Sequence, residues 1–194
     1  MDKDGIFEAV KFWVSSVVVN LNLCPFASYE IDRDSVRFYV SEASSQEQLL
    51  EQLQLEFKHL DEDGTIATTL LIHPHVLQDF YDYNEFLGLA EALINDLNLQ
   101  GVYQIASFHP QYQFADSEAN DASNFTNRSP YPMLHILREE SLQWAVENYP
   151  EDTAEIPQHN IDLLESIGID DLQIRLEACY EAQNKAQNET QDEE

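Results

Sequence analysis

The sequence predicts an α/β fold: a small, mostly parallel sheet of three to four strands with helices on both faces, in the order α-β-α-β-α-β-α. Two observations predict it. Stretches with apolar residues at helical spacing alternate along the chain with short stretches rich in β-branched residues. One of the latter, residues 65–72, lacks polar alternation, which is typical of a strand buried on both faces of a sheet.

Each element has its own local signal. Apolar residues at helical spacing predict the first helix over residues 5–22, and Cys24 marks its end because proline follows and disfavours helix in the residue before it. A capping box of Ser44 and Glu47 marks the start of the second helix. The other elements are, in chain order, strands at 36–40, 65–72 and 102–108, and helices at 49–60, 87–97, 132–146, 161–167 and 172–183.

Composition bounds the domain organisation and the partners. One α/β domain is predicted over residues 1–184, followed by a disordered acidic tail over 185–194. The 37 acidic residues against 9 basic ones give a net charge of -28, and such a surface repels nucleic acids and anionic membranes. No charged leader precedes an apolar run, so we expect a cytoplasmic protein. The cofactors and the oligomeric state stay open.

Two predicted strands end in the same dipeptide, His-Pro. His73 and His75 follow the strand at 65–72, and His109 follows the strand at 102–108. In open α/β sheets, ligands bind beyond the carboxyl ends of the strands. If these strands are parallel, His73 and His109 leave the sheet at the same edge. The long polar connection after His109 favours a catalytic role for this residue.

A second group of candidates precedes the predicted helix at 132–146. The first turn of that helix would offer free backbone N–H groups and the positive end of the helix dipole. Asn127, Arg128 and Ser129 would then form an anion cradle, in which Arg128 binds a carboxylate or phosphate through its planar fork. Alternatively, Arg128 pairs with an acidic side chain and only fixes the loop. Tyr112, in the same polar connection, completes the predicted substrate-binding set.

A third group lies on that predicted helix. His135, Arg138 and Glu139 are spaced by three and four residues and would share one helix face. His135 and His109 would act as general acid and base, because histidine is suited to proton transfer near neutral pH, and Arg138 would bind the same anion. The alternative is a solvated surface cluster.

Other chemistries have less support in the sequence. His73, His75, His109 and His135 could bind a transition metal together with an aspartate, although their spacing matches no known motif. Cys24 follows a helix, where the pKa of a thiol is raised, so a structural role is expected. Phosphate loops, dinucleotide fingerprints, nucleophile elbows and HExxH patterns are absent from the sequence, which leaves ATP, NAD and zincin hypotheses without support.

Three segments together resemble a known bacterial family. Asn22–Ala27 reads NLCPFA, Ala106–Pro110 reads ASFHP, and Asn124–Pro132 reads NFTNRSPYP. These segments resemble the family catalogued as domain of unknown function 1415, over most of residues 5–180. This family has no established activity, so the resemblance implies neither a substrate nor a catalytic residue.

The sequence thus predicts an enzyme, a hydrolase or a lyase, that acts on a small anionic molecule. Arg128 and Arg138 would bind the anionic group, His109 and His135 would transfer protons, and Asn127 would orient the substrate. Two alternatives stay open. One is a metal-dependent hydrolase that uses the histidines. The other is a non-catalytic binding or regulatory module whose acidic surface binds a cationic partner.

Overall fold

The computed structural model describes residues 3–192, and the side chains of residues 3–186. No helix in this described part of the chain is both long and apolar enough to cross a membrane. The chain divides into two compact units. That residues 1–184 form one domain stays a prediction. The first unit comprises Met1–Ala27, His109–Pro130 and Asp152–Glu194, and the second comprises Ser28–Phe108 and Tyr131–Glu151.

The second unit contains a four-stranded sheet. β1 (Val36–Val40) pairs in parallel with β2 (Thr68–Ile72). β4 (Met133–Arg138) lies antiparallel between β2 and β3 (Tyr103–Phe108), which gives the strand order β1-β2-β4-β3. The fold is therefore mixed α/β. The predicted mostly parallel sheet is wrong, because two of the three strand pairings are antiparallel.

β4 lies in a segment, residues 132–146, for which the sequence predicts a helix. The helix begins only after the strand, as α5 (Glu139–Glu147). The reason is tertiary: β4 fills the gap between β2 and β3, and both neighbours hydrogen-bond to its backbone. Pro132 is compatible with either structure, since proline is tolerated both at the start of a strand and in the first turn of a helix.

β1, β2 and β3 run in the same direction, although β4 separates β2 from β3. Ile72 of β2 and Phe108 of β3 both lie opposite Met133 of β4. The carboxyl ends of β2 and β3 therefore lie at the same edge of the sheet. His73 and His109 are the next residues in the chain. The prediction that both leave the sheet at the same edge depends on this arrangement of the strand ends.

Side-chain caps begin the two long helices of the second unit, α3 (Gln46–Glu62) and α4 (Phe80–Asp96). Ser45 accepts a hydrogen bond from the backbone N–H of Gln48 at the start of α3. The N-cap therefore lies one residue later than predicted, and the side chain of Gln48 accepts from the backbone N–H of Ser44. Asp79 accepts from two backbone N–H groups at the start of α4.

One face of the sheet forms a hydrophobic core with α3 and α4. This packing removes large aliphatic and aromatic side chains from water, which is the main favourable contribution to folding. Whether helices also cover the other face, as predicted from the sequence, stays a prediction. The core includes Leu49, Leu53, Phe57 and Leu60 of α3, Tyr83, Phe86, Ala90 and Ile94 of α4, and Leu71, Tyr103, Leu134 and Ile136 of the sheet.

Thr69 is a buried polar residue in β2. Its side chain is fully buried, and its Oγ1 has no hydrogen-bond partner among the described residues. A buried hydroxyl without a partner loses its hydration without compensation. Thr69→Val, which keeps the shape of the side chain, is therefore expected to raise the free energy of unfolding by about 1 kcal/mol. Urea denaturation at pH 7 measures this change.

Thr68 provides the matched control for this substitution. Its Oγ1 donates to the carbonyl of Ile136 at 2.5 Å and lies 2.7 Å from His135 Nε2. Thr68→Val removes the same hydroxyl from the neighbouring position but leaves these partners unsatisfied, so it is expected to lower stability. Equal effects of the two substitutions would contradict the assignment of Thr69 as an unsatisfied group.

The first unit is mainly helical. α1 (Lys3–Trp13) continues into a π-helical turn, Val14–Val19, and packs along α7 (Ile169–Asp192). α6 (Ile156–Ile167) packs against a 3₁₀ turn in the polar connection, Ala122–Thr126. The first unit also contains a 3₁₀ turn at Thr153–Glu155. The short helix α2 (Ala27–Asp32) begins at the last residue of the Met1–Ala27 segment of the first unit and otherwise belongs to the second unit.

The ends of α6 and α7 bear on two further predictions. Gly168 ends α6 at a φ of 83°, a conformation that favours glycine, which confirms the predicted stop. α7 extends to Asp192, and residues 193–194 lie outside the described residues. Disorder of the acidic tail stays a prediction.

Candidate anion-binding site

The backbone around His109 identifies the tautomer of its neutral ring. Only 1% of its surface is exposed. Its backbone N–H donates to the carbonyl of Asn127 at 3.2 Å, which joins it to the residue before Arg128. The backbone N–H of Gln111 donates to His109 Nδ1 at 3.0 Å. Because an N–H group can only donate, the neutral imidazole carries its proton on Nε2.

Arg128 is a half-buried cation held by backbone carbonyls. Its Nε donates to the carbonyl of Tyr112 at 3.2 Å and its Nη2 to the carbonyl of Ala119 at 2.6 Å. The guanidinium lies 4.8 Å from the centre of the Phe125 ring. Burial lowers the pKa of Arg128, but an arginine stays charged at neutral pH.

The guanidinium of Arg128 has no carboxylate partner. In the part of the chain that the structure describes, no acidic side chain pairs with it, and its Nη1 donates no hydrogen bond. Among the described side chains, the alternative in which Arg128 pairs with an acidic residue therefore finds no partner. Nη1 therefore keeps two N–H groups that can donate hydrogen bonds to a ligand.

The loop that carries Arg128 is rigidly built around Asn124, which is fully buried. Asn124 Oδ1 accepts from the backbone N–H of Phe114 at 3.0 Å and from the Ser117 hydroxyl at 2.7 Å. Its Nδ2 donates to the carbonyl of Glu118 at 2.8 Å. These bonds fix the two sides of the loop relative to each other, so Arg128 is placed before any ligand arrives.

The predicted cradle of helix N–H groups is wrong. Residues after Pro132 form β4 rather than a helix, and the Pro132 carbonyl accepts from the backbone N–H of His73 at 3.0 Å. Asn127 and Ser129 flank Arg128, but Ser129 is fully buried. Tyr112 contributes its backbone carbonyl to Arg128, not its ring.

Arg138, predicted to bind the substrate, ties three parts of the second unit together. Its Nε donates to the carbonyl of Ile66 at 3.2 Å, and its Nη2 donates to the carbonyls of Leu60 and Asp63. Its Nη1 donates to the hydroxyl of Tyr103 at 3.0 Å. This set of partners indicates a structural role, since four of its hydrogen bonds end on the protein.

His135 is neutral near pH 7. Burial lowers its pKa to about 4. Its Nε2 lies 2.7 Å from Thr68 Oγ1, whose own proton goes to the carbonyl of Ile136, so Nε2 donates and Nδ1 keeps the lone pair. The ring also packs near Phe108, with 6.1 Å between the ring centres. As a neutral ring, His135 can accept a proton but cannot supply one as an imidazolium.

His135 and Arg138 do not share a face. They lie three residues apart on β4, and side chains an odd number of residues apart point to opposite sides of a strand. Glu139 begins α5 and belongs to a different element. The predicted His-Arg-Glu surface on one helix is therefore wrong, because it depended on a helical period.

The predicted metal ligands do not form a cluster. His73 is buried, with Nδ1 at 3.0 Å from the carbonyl of Val76 and its ring stacked on Tyr83, whereas His75 is exposed. Among the residues described by the structure, no three His, Cys, Asp or Glu side chains are arranged to hold a metal ion. The metal-dependent alternative therefore finds no ligand set here.

A comparison with family models decides the membership of the chain. The model for "Protein of unknown function (DUF1415)" matches residues 5–174 of the 194. The chain belongs to this family. The matched part of this DUF1415 protein includes all the candidate residues discussed above. Comparisons with curated proteins and with solved structures gave no match.

The candidate residues of this DUF1415 protein divide between the two units. The first unit brings the Arg128 loop and His109 together through a direct backbone hydrogen bond. His109, Tyr112, Asn127, Arg128 and Ser129 belong to the first unit, and His73, His75, His135 and Arg138 belong to the second.

The two cysteines of this DUF1415 protein are unpaired thiols. Burial raises the pKa of the Cys24 thiol, although hydrogen bonds from the backbone of Phe26 and Ala27 act in the opposite direction. Burial raises the pKa of Cys179 to about 12. These shifts favour the protonated thiols, in line with the structural roles expected from the sequence.

Sequence reasoning missed a cleft in the second unit. Tyr29, Arg33, Glu140 and Trp144 line it. The spacing of four residues within each of the pairs 29/33 and 140/144 is a helical signal. That signal says nothing about which helices face each other, so the cleft becomes visible only in the folded chain.

Proposed function

We propose that this DUF1415 protein is an enzyme, a hydrolase or a lyase, and that it acts on a small molecule bearing a carboxylate or phosphate group. Arg128 binds that group. One observation carries the proposal: Arg128 is a half-buried guanidinium that pairs with no acidic side chain among the described residues, where its Nη1 group makes no hydrogen bond.

The free energy of the buried charge supports an anionic ligand. Taking a charged group out of water is unfavourable unless an opposite charge or good hydrogen bonds compensate it. Two backbone carbonyls accept from Nε and Nη2 of Arg128, and these bonds compensate the loss of hydration of its charge only in part. The chain has 37 acidic residues, so the missing carboxylate partner does not reflect a shortage of acids. A carboxylate or phosphate oxygen at Nη1 would complete the site.

His109 supports the chemical part of the proposal as a hydrogen-bond donor. The backbone N–H of Gln111 donates to its Nδ1, so a neutral ring would act through the N–H on Nε2 rather than as a base. A neutral imidazole donor stabilises negative charge that develops on oxygen. Both ester hydrolysis and elimination next to a carboxylate develop such a charge. Within the proposal, Asn127 orients the substrate beside Arg128.

The binding step is tested with inorganic phosphate and malonate as probes. Arg128→Gln is expected to weaken binding of both by at least about tenfold, since it removes a charge-assisted fork. Arg128→Lys keeps the charge without the fork, so its effect is expected to be intermediate. Isothermal titration calorimetry measures the affinities, and circular dichroism checks that each variant is folded.

Lys58→Gln is the matched control for the loss of one positive charge. Lys58 lies on α3, is largely exposed and pairs only with Glu62, so its loss changes the net charge equally. If Lys58→Gln and Arg128→Gln weaken binding to the same extent, the anion site is not at Arg128.

The catalytic step is tested with a panel of phosphomonoesters, carboxylic esters and hydroxy acids. Turnover of one class, lost in His109→Gln while phosphate binding persists, would support the assignment. Binding that depends on Arg128 without turnover of any class would indicate the non-catalytic module instead.

A further inference from the structure

A cleft of about 320 Å³ lies in the second unit, at the edge of the sheet where β1 and β2 begin and β4 ends. This is the edge opposite to the carboxyl ends of β2 and β3. The volume is at the lower end of the range for small-molecule sites. α2, the residue that follows it and α5 supply most of its functional groups: Tyr29 and Glu30 from α2, Arg33 directly after α2, and Glu140, Ser141 and Trp144 from α5.

One wall of the cleft is aromatic and open to solvent. Trp144 is 53% exposed and Tyr29 is 46% exposed. Their ring centres lie 5.9 Å apart with 31° between the planes. Arg33 covers the ring of Tyr29 at 5.0 Å and donates to its hydroxyl at 2.6 Å, which holds the wall in place. An exposed indole next to a concave polar surface is an apolar contact for a ligand.

The cleft also carries unpaired charges of both signs. Arg33 has no carboxylate partner and binds only Tyr29 within the described residues. Glu140 makes no hydrogen bond or ion pair in that same part of the chain. Glu30 accepts a hydrogen bond from Ser35 with one carboxylate oxygen, which leaves the other available. The guanidinium and the carboxylates therefore line one cleft without neutralising each other.

We propose that this cleft binds a free amino acid with an apolar or aromatic side chain. The carboxylate of the ligand would be bound by Arg33 and Ser141, its ammonium group by Glu140 and Glu30, and its side chain by Trp144. A ligand with one charge would leave the opposite charge of the cleft without a partner, and a neutral ligand would leave both. A zwitterion with an apolar side chain satisfies all three parts of the lining. Neither Arg128 nor His109 lines this cleft, so the proposal does not depend on the function proposed above.

Three indole compounds test the proposal on the full-length protein. L-tryptophan carries both charges, tryptamine carries only the ammonium group, and 3-(indol-3-yl)propionate carries only the carboxylate. Calorimetry and saturation-transfer NMR are expected to show binding of L-tryptophan, and each single-charge analogue is expected to bind about tenfold more weakly.

Two variants assign the charges. Arg33→Gln is expected to weaken the binding of L-tryptophan more than that of tryptamine, whereas Glu140→Gln is expected to weaken the binding of L-tryptophan but to leave that of the propionate unchanged. Trp144→Ala is expected to weaken the binding of all three compounds. Lys58→Gln, outside the cleft, serves as the control.

Two results would overturn the proposal. Equal binding of L-tryptophan and either single-charge analogue would show that the second charge of the ligand is not recognised. No binding at millimolar concentration, together with a change of oligomeric state in Trp144→Ala by analytical ultracentrifugation, would make the aromatic wall a protein contact instead. Absence of binding without that change also rejects the amino acid site, since all three ligand groups were offered.

Discussion

Replacing Arg138 with methionine is expected to lower the free energy of unfolding by about 3 kcal/mol, because it removes several hydrogen bonds from a charged donor. The guanidinium joins the last turn of α3, the loop before β2 and the end of β4, through the carbonyls of Leu60, Asp63 and Ile66. A cation is also favoured at the C-terminus of a helix. Methionine keeps the length of the side chain but leaves these carbonyls without a donor.

Guanidinium chloride denaturation of the wild type and the variant measures the effect. Tyr103→Phe is the graded control: it removes the hydroxyl that accepts from Arg138 and donates to Asp61 at 2.6 Å, and is expected to cost about 1 kcal/mol. If Arg138 were instead a substrate-binding residue, the variant would keep its stability and lose anion binding. That pattern would contradict the structural role.

Lowering the pH from 7 to 4.5 is expected to remove about 2.5 kcal/mol of stability through His135 alone. The ordinary pKa of histidine, 6.5, applies to the unfolded chain, and burial lowers the pKa to about 4 in the folded one. Below pH 6.5 the unfolded chain takes up a proton that the folded chain does not bind until about pH 4. The stabilisation is therefore complete above pH 6.5 and is lost as the pH falls towards 4.

The comparison with His135→Gln isolates this contribution from the many carboxylates of the chain. Glutamine can still donate a hydrogen bond to Thr68 but does not titrate. Urea midpoints at pH 7.0 and 4.5 give the loss of stability for each protein. The wild type should lose more than the variant, and parallel pH profiles would show that His135 is protonated in the folded state.

Local signals in the sequence were sufficient for most of the elements of this DUF1415 protein. The amphipathic stripe of the first helix, the unbroken β-branched run that becomes β2, and Gly168 after α6 each act within a few residues. The segment around Arg128 was also recognisable, because its prolines and its scarce arginine stand out in an acidic chain.

β4 is a strand that local signals in the sequence did not predict. Met133 to Arg138 reads MLHILR, which suits a helix and a strand equally, and no turn residue separates it from α5. Its hydrogen-bond partners, β2 and β3, lie far away in the sequence. The wrong helix also made the predicted site wrong. A helical period places His135 and Arg138 on one face, whereas a strand places them on opposite faces.

The sequence by itself determined the family, the acidic character and the positions of most helices and strands, because composition, motifs and short-range periodicity are local properties. Only the tertiary structure decided that β4 completes the sheet, that Arg138 donates to three backbone carbonyls and to Tyr103, that Arg128 has no acidic partner among the described side chains, and that a cleft carries both signs of charge. These features depend on which distant groups meet after folding, and on which polar groups lose water when they do.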